Sequence, residues 1–160
     1  MNIKNKIVVY SILGMAACVR PPDYPIEPQI TFSALSKNTM RQGTFQQDSV
    51  WLTVAFTDGD GDLGNKGNDR DSVNVFVTDK RKNQLAETFR IPYVPDQGAG
   101  NGISGDIKLL LFTTCCNVIP PCEPSITKPI DTLVYQIAIK DRAGHKSNVI
   151  ETPNIYLQCR

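Results

Sequence analysis

The sequence predicts an all-β protein: one domain of two packed sheets with about seven strands. Three observations lead there. From Gln29 onward no stretch sustains a helical period of apolar residues, alternation with period two recurs instead, and breaks rich in Gly, Asn, Asp and Pro separate the alternating runs. About seven short strands in roughly 130 residues bury their apolar faces best as a two-sheet sandwich, although a closed barrel satisfies the same pattern.

The elements follow in chain order. The first six residues, MNIKNK, set Lys4 and Lys6 ahead of the apolar run Ile7 to Ala17, the layout of an export signal. Eleven helical residues rise only about 16 Å against a hydrocarbon core of about 30 Å, so this run is too short to span a membrane. Met15-Ala16-Ala17-Cys18 then resembles the lipobox of bacterial lipoproteins, Met15 being the one departure from the usual aliphatic residue. The resemblance implies a signal peptide of residues 1–17, cleaved before an acylated Cys18. An ordinary secretory signal followed by a chance cysteine is the alternative, and either one exports the chain. Several acyl chains, at about 0.8 kcal/mol per buried methylene, would hold the mature protein on a membrane. Val19 stands where an Asp retains enteric lipoproteins at the inner membrane, so the outer membrane is expected by analogy, its periplasmic or outer face left open.

Residues 18–28 carry Pro21, Pro22, Pro25 and Pro28, which exclude a helix and predict an extended stalk of about 30 Å. The domain proper is expected over residues 29–160. Its clearest strand is Asp48 to Thr57, with Val50, Leu52, Val54 and Phe56 on one face and Trp51, Thr53, Ala55 and Thr57 on the other. Ser72 to Thr78 and Thr132 to Lys140 repeat the pattern through Val73, Val75 and Val77, and through Leu133, Tyr135, Ile137 and Ile139. Fainter runs at Ile30 to Leu35, Glu87 to Val94, Ile103 to Phe112 and Val149 to Gln158 complete the seven, with Pro92 and Pro153 marking edges or strand ends. Trp51 is expected in the core or between the sheets.

KDRAGHKSN at residues 140–148 resembles the end of bacterial immunoglobulin-like and cadherin-like modules, and TDGDGDLG at residues 57–64 resembles their Asp-rich loop. With the lipobox and stalk, the layout is similar to that of small outer-membrane lipoproteins of Bacteroidota. That resemblance implies an immunoglobulin-like sandwich and a location, and it supplies no catalytic residues. The cysteine and tryptophan spacing of antibody domains is missing.

Asp58, Asp60 and Asp62 alternate with glycines, so a loop there is free to turn three carboxylates toward one centre, as calcium requires. Asn65, Asn68, Asp69 and Asp71 add oxygens nearby. A helix-loop-helix calcium site is excluded, because Leu63 stands where the turn glycine belongs and no helices flank the loop. In a sandwich the loop after the second strand and the loop before the last share one pole. Asp141 is therefore expected to complete a calcium site with Asp58, Asp60 and Asp62. Neutralisation of the cluster by Arg142, or a plain Asp-Gly turn, is the alternative.

Once Cys18 is assigned to lipid, Cys115, Cys116, Cys122 and Cys159 form an even set in an oxidising compartment, and two disulfides are expected. Cys159 shares parity with Ile155 and Leu157 and so faces inward. Pairing Cys115 with Cys122 and Cys116 with Cys159 is slightly preferred over the other crossed arrangement, and neighbours Cys115 and Cys116 are poorly placed to bond each other. Zinc held by these thiols with His145 lacks the paired CxxC spacing.

The whole chain carries a net charge of +1, and loss of residues 1–17 leaves 15 basic against 16 acidic side chains, so no basic field exists to attract nucleic acid. The single histidine, His145, has no nucleophile elbow or related motif to work with, so an enzyme is not expected. Two readings of function remain. One is a non-catalytic, lipid-anchored accessory subunit that binds an outer-membrane protein partner. The other is a calcium-dependent adhesion or glycan-binding module.

Overall fold

The computed structural model describes residues 23–44, 46–65, 72–95, 102–117 and 121–160. The export signal, Cys18, the stalk as far as Pro22, and Asn68, Asp69 and Asp71 lie outside the described residues. Among the described residues the chain is all-β with no helix. Its strands are β1 (Gln29–Leu35), β2 (Thr39–Arg41), β3 (Ser49–Asp58), β4 (Val75–Asp79), β5 (Gln84–Phe89), β6 (Ile103–Phe112), β7 (Ile130–Leu133), β8 (Tyr135–Ile139), β9 (Ile150–Glu151) and β10 (Ile155–Gln158).

The strands form three hydrogen-bonded sheets in an open, sandwich-like arrangement: β1-β3-β6, β2-β10-β7 and β5-β4-β8-β9. All pairs are antiparallel except β2 with β10. Their inward faces meet in one core. Val50, Leu52, Val54 and Phe56 of β3, Val75 and Val77 of β4, Ile137 and Ile139 of β8, and Ile155 and Leu157 of β10 are all buried within it. Inter-strand pairing, longest between β3 and β6, satisfies the strand backbone, and this shared apolar core holds the three sheets together.

The expected seven strands become ten for local reasons. The run Thr132 to Lys140 divides at Val134, where the chain leaves the sheet of β7 for that of β8. Alternation passes through the break undisturbed, because Leu133 and Tyr135 on either side are both buried. Val149 to Gln158 divides around Pro153, which has no N–H for a ladder. There Thr152 grips the start of β8 instead: its Oγ1 accepts a hydrogen bond from Tyr135 N at 3.0 Å and its N–H donates to Tyr135 O at 2.9 Å. The tenth strand, β2, is only three residues long with one buried side chain, Met40, too short to show alternation.

Strand boundaries also move. β5 begins earlier, at Gln84 rather than Glu87, while toward residue 90 β4 begins at Val75 rather than Ser72 and β5 ends at Phe89 rather than Val94. Asn74 serves the corner between them, its Oδ1 accepting a hydrogen bond from Ile91 N at 2.6 Å. Trp51 is not a core residue: it is 50% exposed on the outer face of β3. Its neighbours Val50 and Leu52 take the inward face, and strict alternation leaves Trp51 none of it.

A buried ion cluster ties β4 to β7. Arg81 donates to Asp79 Oδ2 at 2.7 Å, to Asp131 Oδ2 at 2.6 Å and to the Cys115 carbonyl at 3.3 Å. Burial pushes the Asp131 carboxyl up, but hydrogen bonds from Lys128 and Arg81 outweigh it and hold the group below its ordinary value. Beside this cluster lie both disulfides. Cys115 bonds Cys122 with Cα atoms 4.8 Å apart, and Cys116 bonds Cys159 with Cα atoms 5.9 Å apart, fastening the segment after β6 to the end of β10. With all four of these thiols paired, none is left to join His145 in a zinc site.

Candidate metal centre

The aspartate pole is built from the ends of two strands that belong to different sheets. On β3 the inward series Val50, Leu52, Val54, Phe56 continues one step to Asp58, which is fully buried. On β8 the inward series Tyr135, Ile137, Ile139 likewise continues past the strand end to Asp141, 3% exposed. Each sheet therefore delivers a carboxylate to the rim of the core by the same parity that delivers its apolar side chains.

After Asp58 the chain turns through Gly59, Asp60 and Gly61 to Asp62, and Leu63 returns fully into the core as an anchor. Gly64 adopts φ +80°, and a side chain there would meet the Pro92 carbonyl at 2.0 Å, so only glycine closes this turn. The loop is bound to the one after β8. Arg142 N–H donates to Asp62 O at 3.3 Å, and Ala143 N–H donates to Asp62 Oδ2 at 2.9 Å. As a result one carboxylate oxygen from each of Asp58, Asp60, Asp62 and Asp141 falls within 4.8 Å of the others. This is the juxtaposition of the two loops that the sequence leads one to expect.

The four groups differ in what already binds them. Asp141 Oδ1 accepts from Gly144 N at 2.7 Å and His145 N at 2.8 Å, while Oδ2 lies 2.8 Å from His145 Nδ1. Those bonds fix its orientation, and the Asp141 carboxylate in turn raises the basicity of the exposed His145. Asp60 is exposed, and Asp62 is half-buried with Oδ1 lacking a partner. Asp58 is the extreme case: neither carboxylate oxygen makes a well-formed hydrogen bond among the described residues, the Asp62 amide being the one backbone group that favours its charge. Burial, and then the charges of Asp60, Asp62 and Asp141, push its carboxyl up to about 6. Burial followed by Asp141 and Asp60 raises Asp62 as well.

A buried carboxylate without donors is costly unless a cation compensates it. Arg142 meets that need only in part: its charge acts on Asp62, but its Nη1 hydrogen bonds go to backbone carbonyls rather than in pairs to the four aspartates. Its Nη1 donates to the carbonyls of Leu63 at 3.1 Å and Gly64 at 2.9 Å, and its guanidinium lies 5.2 Å from the centre of the Tyr93 ring. The arginine thus closes the loop from outside. Asn65 is also turned away, its amide donating to Ser72 O and Oγ, both at 2.7 Å.

The donor set is all oxygen, carboxylates from the end of β3, the turn after it and the loop after β8, which suits a hard divalent cation with six to eight oxygen ligands. Sequence reasoning found the four residues but treated Asp58 as the first residue of a loop. The missed signal was its parity with Phe56, which puts it inside. No protein-family model matches the chain, and neither a curated protein nor a solved structure is significantly similar to it.

Proposed function

We propose that this protein is a non-catalytic, lipid-anchored interaction module of the outer membrane, an immunoglobulin-like sandwich whose aspartate pole takes calcium. The observation that carries the calcium reading is Asp58: fully buried, with no well-formed hydrogen bond to either oxygen among the described residues, and facing three further carboxylates. Calcium would accept those oxygens and cancel their mutual repulsion, fixing the β3 loop to the loop after β8. The lipobox-like run ending at Cys18 supports the rest, because a single domain held at a membrane by a lipid and a short leash ahead of the docked Tyr24–Pro25 is suited to binding a membrane-embedded partner such as an importer, an export channel or an assembly machine.

Calorimetry with calcium on the wild-type chain and on Asp60→Ala tests the ion site. Heat and a raised melting temperature that the variant loses are expected; no heat would leave a plain loop. A pull-down from membranes in mild detergent tests the accessory role, which requires a stoichiometric β-barrel partner and fails if the protein is recovered alone.

Exposed Trp51 favours a second reading, glycan binding. It stands on the outer face of β3 beside Thr53 and Lys108, where a sugar ring could stack. Seven residues of strand, about 23 Å, separate Trp51 from Asp58, so a sugar there would not be held by the pole's calcium. A glycan array with and without chelator separates the two.

A further inference from the structure

The aspartate pole also holds the strap that leads back toward the N-terminal tether. Gly59 N–H donates to the Pro25 carbonyl at 2.8 Å. The approach is closer than any side chain permits, since a Cβ on Gly59 would lie 2.3 Å from Tyr24 O and 2.5 Å from Pro25 O. Gly102, at the opposite wall, faces the Tyr24 ring, which a Cβ there would meet at 2.7 Å, and the Asp58 carbonyl, at 3.0 Å. Residues 24–25 therefore lie against Gly59, the residue that follows buried Asp58.

We propose that the pole is a cation-dependent clamp: a divalent cation among Asp58, Asp60, Asp62 and Asp141 fastens the Tyr24–Pro25 strap to the domain. This rests on the calcium reading above. The side chain of Asp58 faces the carboxylate cluster, while its carbonyl and the next residue form the seat of the strap. Without a cation, repulsion among four carboxylates falls on the turn that shapes that seat. With one, the turn is held in the geometry the strap requires. Coupling of this kind is reciprocal, so a docked strap must tighten the cation by the same factor that the cation tightens the strap. Glu27, on the strap itself, adds a negative charge that reaches His145 at the same pole.

The test uses the full chain in detergent, with calcium chloride as the probe against a calcium-free buffer. Hydrogen exchange of residues 23–28 and of the Gly59 amide reads the strap, and calorimetry reads calcium. In the wild type, calcium is expected to slow strap exchange about tenfold. Gly59→Ala contributes and removes no carboxylate, yet it is expected to lose that protection and bind calcium about tenfold more weakly. Tyr24→Ala, which removes only the ring against Gly102, should shift both readouts in the same direction and guards against a folding defect at Gly59. Calcium heat with unchanged strap exchange, or equal affinity in all three chains, overturns the clamp while leaving the calcium site standing. Absence of heat in the wild type removes both.

Discussion

Replacing Asp58 by Asn should make the calcium-free protein more stable while abolishing its response to calcium. The carboxyl is raised from an ordinary 3.8 to about 6 by burial and by its three acidic neighbours. A folded-state value above the unfolded one means that the penalty is absent below pH 3.8, grows between 3.8 and about 6, and is fully present at neutral pH. Two pKa units or slightly more correspond to about 3 kcal/mol. Asn removes the charge and can donate to Asp62 Oδ1, which has no partner, so a net gain of about 1–3 kcal/mol is expected after imperfect amide pairing. In a domain of this size that is roughly 3–9 °C in melting temperature. The assay is thermal unfolding of wild type and Asp58→Asn in metal-free buffer between pH 5 and 7.5, then with calcium added at neutral pH. Wild type should lose stability as pH rises toward neutral, where Asp58→Asn should lose much less. Calcium at a hundred times its dissociation constant should return about 2.7 kcal/mol to the wild type alone. If Asp58→Asn melts below wild type without metal, the side chain is contributing an ordinary structural hydrogen bond and the reasoning fails.

Three further predictions concern the frame. The Cys116–Cys159 bond spans 43 residues and the Cys115–Cys122 bond only 7, so replacing the first pair with Ala should cost about 4 kcal/mol and the second about 2 in urea unfolding; equal losses would contradict the loop-entropy account. Arg81→Ala strips Asp79 of its side-chain partner and leaves Asp131 with Lys128 alone, the two being 4% and 6% exposed, and should destabilise by about 3 kcal/mol at neutral pH. The Asp131 part of that loss should begin to fade as pH falls below the ordinary 3.8 and vanish only once pH has dropped through its lowered folded-state value. On β3, Leu52→Ala should cost about 2–5 kcal/mol and its neighbour Trp51→Ala at most about 1, measured by denaturant midpoint; comparable costs would mean that the tryptophan face is covered in solution.

Which parts of this molecule were legible in its sequence follows from what alternation records. Period two reports which way a side chain faces and is blind to which sheet it faces in. The ten-residue β6 was read at its true ends, and β3 to within one residue at each end, because each stays in one sheet for its whole length. The run through Leu133 and Tyr135 kept its parity while crossing from one sheet to another, so nothing in the pattern marked Val134 as a corner. β2 escaped because its pairing with β10 is parallel and three residues long, held by a partner more than a hundred positions away. Trp51 was misjudged for a different reason. Residue type suggested the core, whereas the register of its own strand had already assigned it to the outside, and register prevails because shifting it would expose Val50, Leu52, Val54 and Phe56 together.

The same logic makes the aspartate pole more informative than its composition. Acidic residues among glycines are ordinary in turns, and on composition alone Asp58, Asp60 and Asp62 would be solvated. Only Asp60 behaves that way. Asp58 and Asp141 are each the next inward position after an apolar series on strands of separate sheets, so the packing of the core itself presses their carboxylates toward one another. Relief was open to the sequence at either position through an Asn or a Ser. For Asp141, turn hydrogen bonds and His145 supply donors that account for the carboxylate. For Asp58 the described residues supply much less, the Asp62 amide being the one backbone group that favours its charge, and a cation at the pole is the completion proposed above.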